Sequence, residues 1–101
     1  MYAKLESYDK AINNYDEAIK INPAYTSAFN NRGNSYSELG NYNNAIEDFT
    51  RAIKIEPDNG QTYYNLAIAK QRAKVEFCSD YKKSCDLGYN QGCDDYDKLC
   101  K

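Results

Sequence analysis

The sequence of 101 residues lacks histidine and tryptophan, and it contains only two prolines and one methionine. Without histidine the chain has no Ser–His or Cys–His nucleophile pair, and the commonest ligand of catalytic zinc is missing. No apolar run approaches the roughly 20 residues that cross a bilayer, so we expect no membrane span. The formal net charge is only −2, which provides no electrostatic footprint for nucleic acid, and we expect no nucleic-acid partner.

Motifs that carry catalysis are also missing from the sequence. There is no glycine-rich phosphate loop, no nucleophile elbow and no calcium-loop spacing. Five aspartates cluster near the C-terminus, where they look like the solvated faces of two helices: Asp80, Asp86, Asp94, Asp95 and Asp97. We therefore expect a chain that is not an enzyme and that uses no cofactor and no metal.

What the sequence does have is an internal repeat with a period of 34 residues. When residues 1–25 are compared with residues 35–59, 10 of the 25 positions are identical, Pro23 and Pro57 among them. Chance would give about two identities at ordinary residue frequencies. A period of this length is typical of helical solenoids, in which each unit relies on its neighbours to bury its apolar face.

Within one period, apolar and small residues recur at intervals of three and four, which predicts helices. Gly40 can take the left-handed conformation that ends a helix, and Pro57 with the turn residues after it ends the next helix. Each period is therefore predicted to form two antiparallel helices joined by a tight turn. Gly33, Ala45 and Ala52 are small enough to let these helices approach closely.

This pattern resembles the tetratricopeptide repeat family. Over residues 26–59 the chain carries the family signature in register: Phe29, Gly33, Tyr36, Gly40, Tyr42, Ala45, Phe49, Ala52 and Pro57. Arg32 takes a position usually held by leucine, and we expect it to weaken one core contact. The resemblance implies an all-α, right-handed solenoid of helical hairpins with about two and a half repeats, closed by a C-terminal capping helix.

The same resemblance divides a single domain, residues 1–101, into four parts. These are a partial repeat 1 (1–25), repeat 2 (26–59), a divergent repeat 3 (60–88) and a cysteine-bearing terminal helix (89–101). In the partial repeat, the first helix is expected to be cut to about one turn, Met1–Leu5, and to be followed by a second helix, Tyr8–Ile21.

The helix Tyr8–Ile21 would then have little to cover its apolar side. Ile12, Tyr15 and Ile19 lie on that side. An uncovered stripe of this kind is an association site by default, because exposed apolar surface favours a partner over water. We therefore predict an assembly edge at these three residues.

Two structures are compatible with residues 61–87. The segment Gln71–Phe77 contains no glycine, proline or asparagine, although the third repeat should turn there. The segment could form a hairpin, or it could form a single helix roughly 40 Å long. A single helix would offer residues 77–101, beginning with Phe77, to a neighbouring subunit by domain swapping. Contacts of this kind could propagate into a homo-oligomer or a filament.

All four cysteines lie near the C-terminus: Cys78, Cys85, Cys93 and Cys100. The segment 82–93 is similar to Sel1-like, cysteine-rich repeats, in which cysteines eight apart bridge the end of one helix to the start of the next. A spacing of seven puts Cys78 and Cys85 on one helix face, and the same holds for Cys93 and Cys100. If the chain reverses at residues 87–89, Cys85 faces Cys93 and Cys78 faces Cys100, and two disulfides could form.

Two other uses of the cysteines are open at this point. They could be free buried thiols, because cysteine is also a small core hydrophobe. They could bind zinc, although residues seven apart on a helix are separated by roughly 10.5 Å, too far for one tetrathiolate site. Disulfides would favour export to an oxidising compartment. If Met1 is the natural start, the lack of an apolar signal segment would instead indicate the cytoplasm.

The tetratricopeptide resemblance also implies a concave groove, lined by the first helix of each repeat, that receives extended peptides or partner helices. By the family register the groove residues are Ser27, Asn30, Asn34, Ser37, Glu38, Gln61, Tyr64, Ile68, Gln71 and Arg72. Asn30 stands where carboxylate-binding members of the family have lysine, so a carboxylate clamp is not implied. The same polar residues could also form a solvated face without a ligand.

The leading functional hypothesis is a non-catalytic protein–protein interaction module that binds a protein or peptide partner in the groove. The alternative is a structural subunit that assembles end to end. The two hypotheses use different surfaces, because the first depends on the groove and the second on the two ends of the solenoid.

Overall fold

The computed structural model describes residues 2–100, with side chains from Ser7 to Cys100. Within this range the chain forms six α-helices and no strand. The helices are α1 (Tyr2–Ile21), α2 (Thr26–Glu38), α3 (Tyr42–Ile55), α4 (Gly60–Arg72), α5 (Cys78–Asp86) and α6 (Asn90–Cys100). The prediction of an all-α chain built from helical hairpins is confirmed.

The helices are arranged in two layers. Each helix packs against the next one along the chain, and α4 also contacts both α2 and α6. In the described part of the chain, α1, α3 and α5 make no such contacts with one another. Helices α2, α4 and α6 therefore form an inner layer in which α4 touches both of its neighbours, and α1, α3 and α5 form an outer layer whose members are spread apart. This difference curves the solenoid and makes the inner layer concave.

The core lies where α2, α3 and α4 meet. Phe49 on α3 is 1% exposed and packs with Ala45, Leu66 and Ala69. A Cβ added to Gly33 on α2 would lie 2.8 Å from Phe49 Cε1, closer than packed atoms can stand. The glycine therefore allows α2 to approach the phenylalanine ring, and the predicted close contact between these helices is confirmed.

Three helices end in the same hydrogen-bonded turn. After α2, Gly40 has a φ of 82°, and the Asn41 N–H donates to the Tyr36 carbonyl over 2.8 Å. After α5, Gly88 has a φ of 92°, and the Tyr89 N–H donates to the Ser84 carbonyl over 3.1 Å. This is the Schellman arrangement, which satisfies carbonyl groups that a helix end leaves without partners.

The third such turn resolves the two structures that the sequence allowed for residues 61–87. Helix α4 ends at Arg72, and Lys74 takes the left-handed conformation with a φ of 63°. The Val75 N–H then donates to the Lys70 carbonyl over 2.9 Å, as in the glycine turns. The single long helix is therefore wrong, and α5 folds back onto α4, so residues 77–101 are not carried away for domain swapping.

The predicted break near the N-terminus is wrong. Helix α1 runs without interruption from Tyr2 to Ile21, although a turn was expected between Leu5 and Tyr8. That segment contains no glycine, proline or asparagine, so nothing in it opposes the continuation of the helix.

The predicted assembly edge is only partly exposed. Ile12 is 8% exposed, because α1 packs against α2 within the described part of the chain, so the expectation of an uncovered Ile12 is wrong. Tyr15 and Ile19 are half-buried. Phe77 is also half-buried, and its ring packs edge-on against Tyr81 at 5.7 Å between centroids. The large apolar side chains that are exposed lie elsewhere: Ile21, Tyr25, Val75 and Leu99.

Within residues 2–100, none of the helices combines the length and the apolar character that crossing a membrane requires.

Candidate functional site

The concave inner layer contains a polar depression between α2 and α4. Its volume is about 270 Å³. We call it the inner depression, and its lining residues are Ser27, Asn30, Asn31, Asn34, Asn59, Gln61, Thr62 and Asn65. The structure therefore brings together Ser27, Asn30, Asn34 and Gln61 from the predicted groove set.

Local hydrogen bonds position this lining. Asn59 caps the N-terminus of α4, where its side-chain oxygen accepts the Thr62 N–H over 3.2 Å. The Thr62 hydroxyl donates to Asn30 Oδ1 over 3.2 Å and so links α4 to α2. The groove register overlooked Asn59 and Thr62. The signal that could have found Asn59 is the helix start itself, since asparagine is a preferred N-cap residue and Asn59 directly precedes α4.

None of the described residues that line the inner depression has an ionisable side chain. Every lining residue ends in an amide or a hydroxyl group, which can both donate and accept hydrogen bonds. Such a surface pairs with neutral polar groups and offers no counter-charge to a carboxylate or a phosphate. It matches in chemistry the N–H and C=O groups of an extended polypeptide backbone.

Tyr64 was predicted as a groove residue, but it makes its contacts within the chain. Its ring lies 5.1 Å from that of Tyr89 and 5.7 Å from that of Tyr81, measured between centroids. Its hydroxyl donates to Asp95 Oδ2 over 2.6 Å. Burial and this hydrogen bond raise the pKa of Tyr64 well above its ordinary value. Tyr64 therefore connects α4 to α6 and forms the boundary of the groove on that side.

The remaining predicted groove residues do not line the inner depression. Gln71 accepts a hydrogen bond from the Tyr81 hydroxyl over 2.7 Å, and so it belongs to the contact between α4 and α5. Glu38 is exposed and accepts from the Tyr8 hydroxyl over 3.4 Å. Ser37 and Ile68 are half-buried, while Arg72 is exposed at the end of α4.

Arg32 connects three helices through a network of ion pairs. Its guanidinium donates to both carboxylate oxygens of Asp48 on α3, over 2.9 and 2.7 Å, and to Asp16 on α1 over 2.8 Å. It also lies 5.5 Å from the centre of the Phe29 ring. The expectation that Arg32 merely weakens a core contact is wrong, because it replaces an apolar contact with a polar link from α2 to both outer helices.

The pKa values of this network show what holds it together. Hydrogen bonding to Asp48 raises the pKa of Arg32, so the guanidinium stays charged. Burial raises the pKa of Asp48, and the attraction of Arg32 offsets only part of that effect. Asp48 is 3% exposed, and its charge therefore depends on Arg32 for compensation.

The outer layer has a cleft of its own between α1 and α3. It measures about 480 Å³, and its floor is formed by Phe29 and Arg32. The walls carry both apolar and charged residues: Ile19, Ile46, Glu47, Asp48, Thr50, Arg51 and Lys54. The sequence did not predict this cleft, because it arises from the gap between two outer helices that do not touch.

The cysteines form the two disulfides that the reversal at residues 87–89 permits. Cys78 is bonded to Cys100, with 5.8 Å between their Cα atoms, and Cys85 is bonded to Cys93, with 4.5 Å. All four cysteines of the sequence are thereby used. The alternatives of free thiols and of a zinc site are wrong, and the predicted pairing is confirmed.

Comparison with known proteins places this architecture in a family. The tetratricopeptide repeat profile matches residues 26–59, and a second TPR repeat profile matches residues 1–40. Together they cover more than half of the chain. No curated protein matches the sequence. The similarity of segment 82–93 to Sel1-like repeats stays a prediction.

Solved structures show the same fold. The chain is similar to the first TPR of Spaghetti (RPAP3) bound to the HSP90 peptide SRMEEVD, with a TM-score of 0.85, 23% identity and coverage of 96% of this chain and 80% of that chain. It is similar to the Arabidopsis OM64 TPR domain, with a TM-score of 0.82, 28% identity and coverage of 94% and 82%. It is also similar to the Sgt2 TPR domain from Aspergillus fumigatus, with a TM-score of 0.79, 24% identity and coverage of 92% of this chain and 68% of that chain. The chain belongs to the tetratricopeptide repeat family.

Proposed function

We propose that the chain is a non-catalytic protein–protein interaction module that binds an extended peptide in the inner depression. The observation that carries this proposal is the lining of the depression, which consists of amides and hydroxyls on two helices of the concave layer. Tetratricopeptide repeats are in general protein-interaction domains, and the Spaghetti (RPAP3) TPR is bound to a peptide.

The chemistry of the lining distinguishes among peptides. The peptide SRMEEVD bound to the Spaghetti (RPAP3) TPR is acidic at its C-terminal end. An acidic peptide would need cations, and the inner depression has none, since Asn30 stands at the position that holds lysine in carboxylate-binding members of the family. We therefore expect an uncharged segment whose backbone exchanges hydrogen bonds with Asn30, Asn34 and Asn65.

Panning of a random peptide display library against the oxidised chain tests the proposal. Selected peptides should have an uncharged central segment. Replacement of Asn34 or Asn65 by alanine should weaken their binding about 5- to 10-fold each, because each substitution removes a hydrogen bond worth about 1 kcal/mol. The matched control is Asn44→Ala on outer helix α3, which is an exposed asparagine like Asn34 and should leave binding unchanged.

Two results would contradict the proposal. One is a library that yields no binder above background. The other is a set of binders whose affinity is unaffected by Asn34→Ala and Asn65→Ala but falls with Asn44→Ala, since that pattern assigns binding to the outer layer.

End-to-end self-assembly is the second candidate function. It is favoured by exposed apolar side chains on the first and last helices, with Ile21 84% exposed at the last residue of α1 and Leu99 44% exposed on α6. Light scattering over a range of concentrations should then report masses above the monomer, and Leu99→Glu should restore the monomer. A monomer at every concentration contradicts this candidate.

A further inference from the structure

Helix α6 is attached to the solenoid in a different way from the other helices. Among the described residues of α6, only Gly92 is buried, and the one large aliphatic side chain, Leu99, is 44% exposed. The helix has 11 residues, including three aspartates and a glycine in its first turn. Isolated helices of this length are marginal in water.

Helix α5, in contrast, is anchored by its own side chains. Tyr81 is 1% exposed and Ser84 is 0% exposed. The Ser84 hydroxyl donates to the Gly60 carbonyl over 2.8 Å, and Asp80 forms an ion pair with Lys70 at 2.9 Å. Both bonds reach α4, so α5 is held to α4 by a hydrogen bond and an ion pair that α6 does not supply.

Two disulfides to α5 hold α6 in place, although the helix buries little apolar surface. Cys93 lies in its first turn and Cys100 at its last residue, so disulfides to α5 hold both ends of the helix. Non-covalent contacts accompany them, among them one hydrogen bond and one close packing contact. The Tyr64 hydroxyl donates to Asp95, and Gly92 packs so closely on Ser84 that a Cβ there would lie 2.5 Å from Ser84 Oγ.

We propose that the disulfides Cys78–Cys100 and Cys85–Cys93 form a redox latch: reduction of both releases α6, leaves the rest of the solenoid folded, and uncovers Tyr64 at the boundary of the groove. All four cysteines are half-buried rather than enclosed, so a thiol can reach them. The proposed latch is independent of the proposed peptide binding, because it follows from the way in which α6 is attached.

The chemistry of release is thiol–disulfide exchange with a dithiol. A thiolate of the dithiol attacks one sulfur of a protein disulfide, breaks the S–S bond and forms a mixed disulfide. The second thiol of the reagent then displaces the remaining protein thiolate and closes the reagent into its own disulfide. Each protein disulfide gains two electrons and, after proton uptake, becomes two thiols.

The two disulfides are expected to contribute unequally. Cys85–Cys93 spans eight residues beside a turn that already holds the chain together, whereas Cys78–Cys100 spans 22 residues and fixes the free end of α6. Because a cross-link restricts the chain more when it closes a longer loop, Cys78–Cys100 is the more important half of the latch.

Hydrogen–deuterium exchange of the full chain, oxidised or treated with dithiothreitol, tests the latch. On reduction the amides of α6 should exchange at least about 30-fold faster, which is the lower end of what one disulfide contributes. The amides of α3 and α4 should exchange at their earlier rates. Unchanged protection of α6 overturns the proposal, and so does a loss of protection that spreads over all helices together.

Variants separate the two bonds and the hydrogen bond. The pair Cys78→Ser and Cys100→Ser should accelerate exchange in the second half of α6, while the pair Cys85→Ser and Cys93→Ser should have the smaller effect. Tyr64→Phe, which keeps both disulfides, is the matched control and should leave α6 protected. Release of α6 by Tyr64→Phe alone would show that the hydrogen bond to Asp95 holds the helix, and the latch would be wrong.

Discussion

Arg32 shows how one side chain can take over the role of a core residue. Its position in the repeat belongs to leucine, and the sequence alone indicated a loss of packing. In the structure its guanidinium instead binds a carboxylate on each neighbouring helix, Asp16 and Asp48. A partner for Arg32 could not be predicted, because each lies 16 positions away along the chain and on a different helix.

Replacement of Arg32 by leucine tests this role. Although leucine is the family residue, Arg32→Leu should lower the free energy of unfolding by about 2–4 kcal/mol, because Asp48 is left buried without a compensating charge. Urea unfolding at neutral pH measures the change. Arg51→Leu, on an exposed side chain of α3, is the control and should have little effect.

The pH dependence of the Arg32→Leu variant has a definite sign. Burial already raises the pKa of Asp48, and loss of Arg32 raises it further. A group with a raised pKa in the folded state stabilises the fold at low pH and loses that contribution as pH rises through the folded value. The loss of unfolding free energy caused by Arg32→Leu should therefore become smaller on acidification. A loss that becomes larger would contradict the role assigned to Arg32 and Asp48.

The groove residues show how much can be predicted from a residue's position in the repeat. The family pattern places Asn34 and Tyr64 on the same concave layer, and this much could be predicted. It could not reveal that Tyr64 donates to Asp95, because α6 lies beyond the repeat that the family pattern matches. The spacing of the repeat therefore predicted the layer on which a residue lies, but it did not predict the hydrogen-bond partners of Arg32 and Tyr64, which lie on other helices.

At the scale of helices, the sequence predicted the end of a helix where the turn contains a residue that favours the left-handed conformation. Gly40 predicted the end of α2, and the structure confirms this prediction, because Gly40 has a φ of 82°. Lys74 gave no such signal, since lysine ordinarily continues a helix, yet it adopts the left-handed conformation at 63°. The packing of α5 on α4 through Tyr81 and Ser84 imposes this turn against the local preference.

Lys74→Gly should therefore stabilise the fold. Glycine takes the left-handed conformation without the steric cost that a Cβ carries, and part of the gain is offset by its greater freedom in the unfolded chain. We expect an increase of about 0.5–1 kcal/mol in the free energy of unfolding, measured by urea denaturation. Lys10→Gly, inside α1, should instead cost about 1 kcal/mol. If both variants destabilise equally, Lys74 is not strained in the native chain.

At the scale of the whole molecule, stability should fall in alkaline solution. Burial raises the pKa of Tyr36, Tyr64 and Tyr81 above the ordinary value of 10.0. The folded chain thus holds protons that the unfolded chain releases, so the stabilisation is fully present below about pH 10 and is lost as pH rises through the folded values.

Thermal unfolding between pH 8 and 11 measures this loss, with tyrosinate absorbance to follow ionisation. Tyr64→Phe should reduce the steepness of the decline, because phenylalanine has no proton to lose and the bond to Asp95 no longer matters. Tyr25→Phe replaces an exposed tyrosine and should not change the slope. Equal slopes for the two variants would show that Tyr64 ionises as it does in water.

Because both disulfides lie in the C-terminal hairpin, we expect the helices to unfold in a definite order under a pulling force. Among residues 2–100, helix α1 packs against α2 alone, whereas α5 and α6 are joined by covalent bonds at both of their ends. A pulling force applied between the chain termini would therefore peel helices away from the N-terminal side first. The C-terminal hairpin would be the last part to yield, and it could extend fully only after its sulfur bonds had been cut.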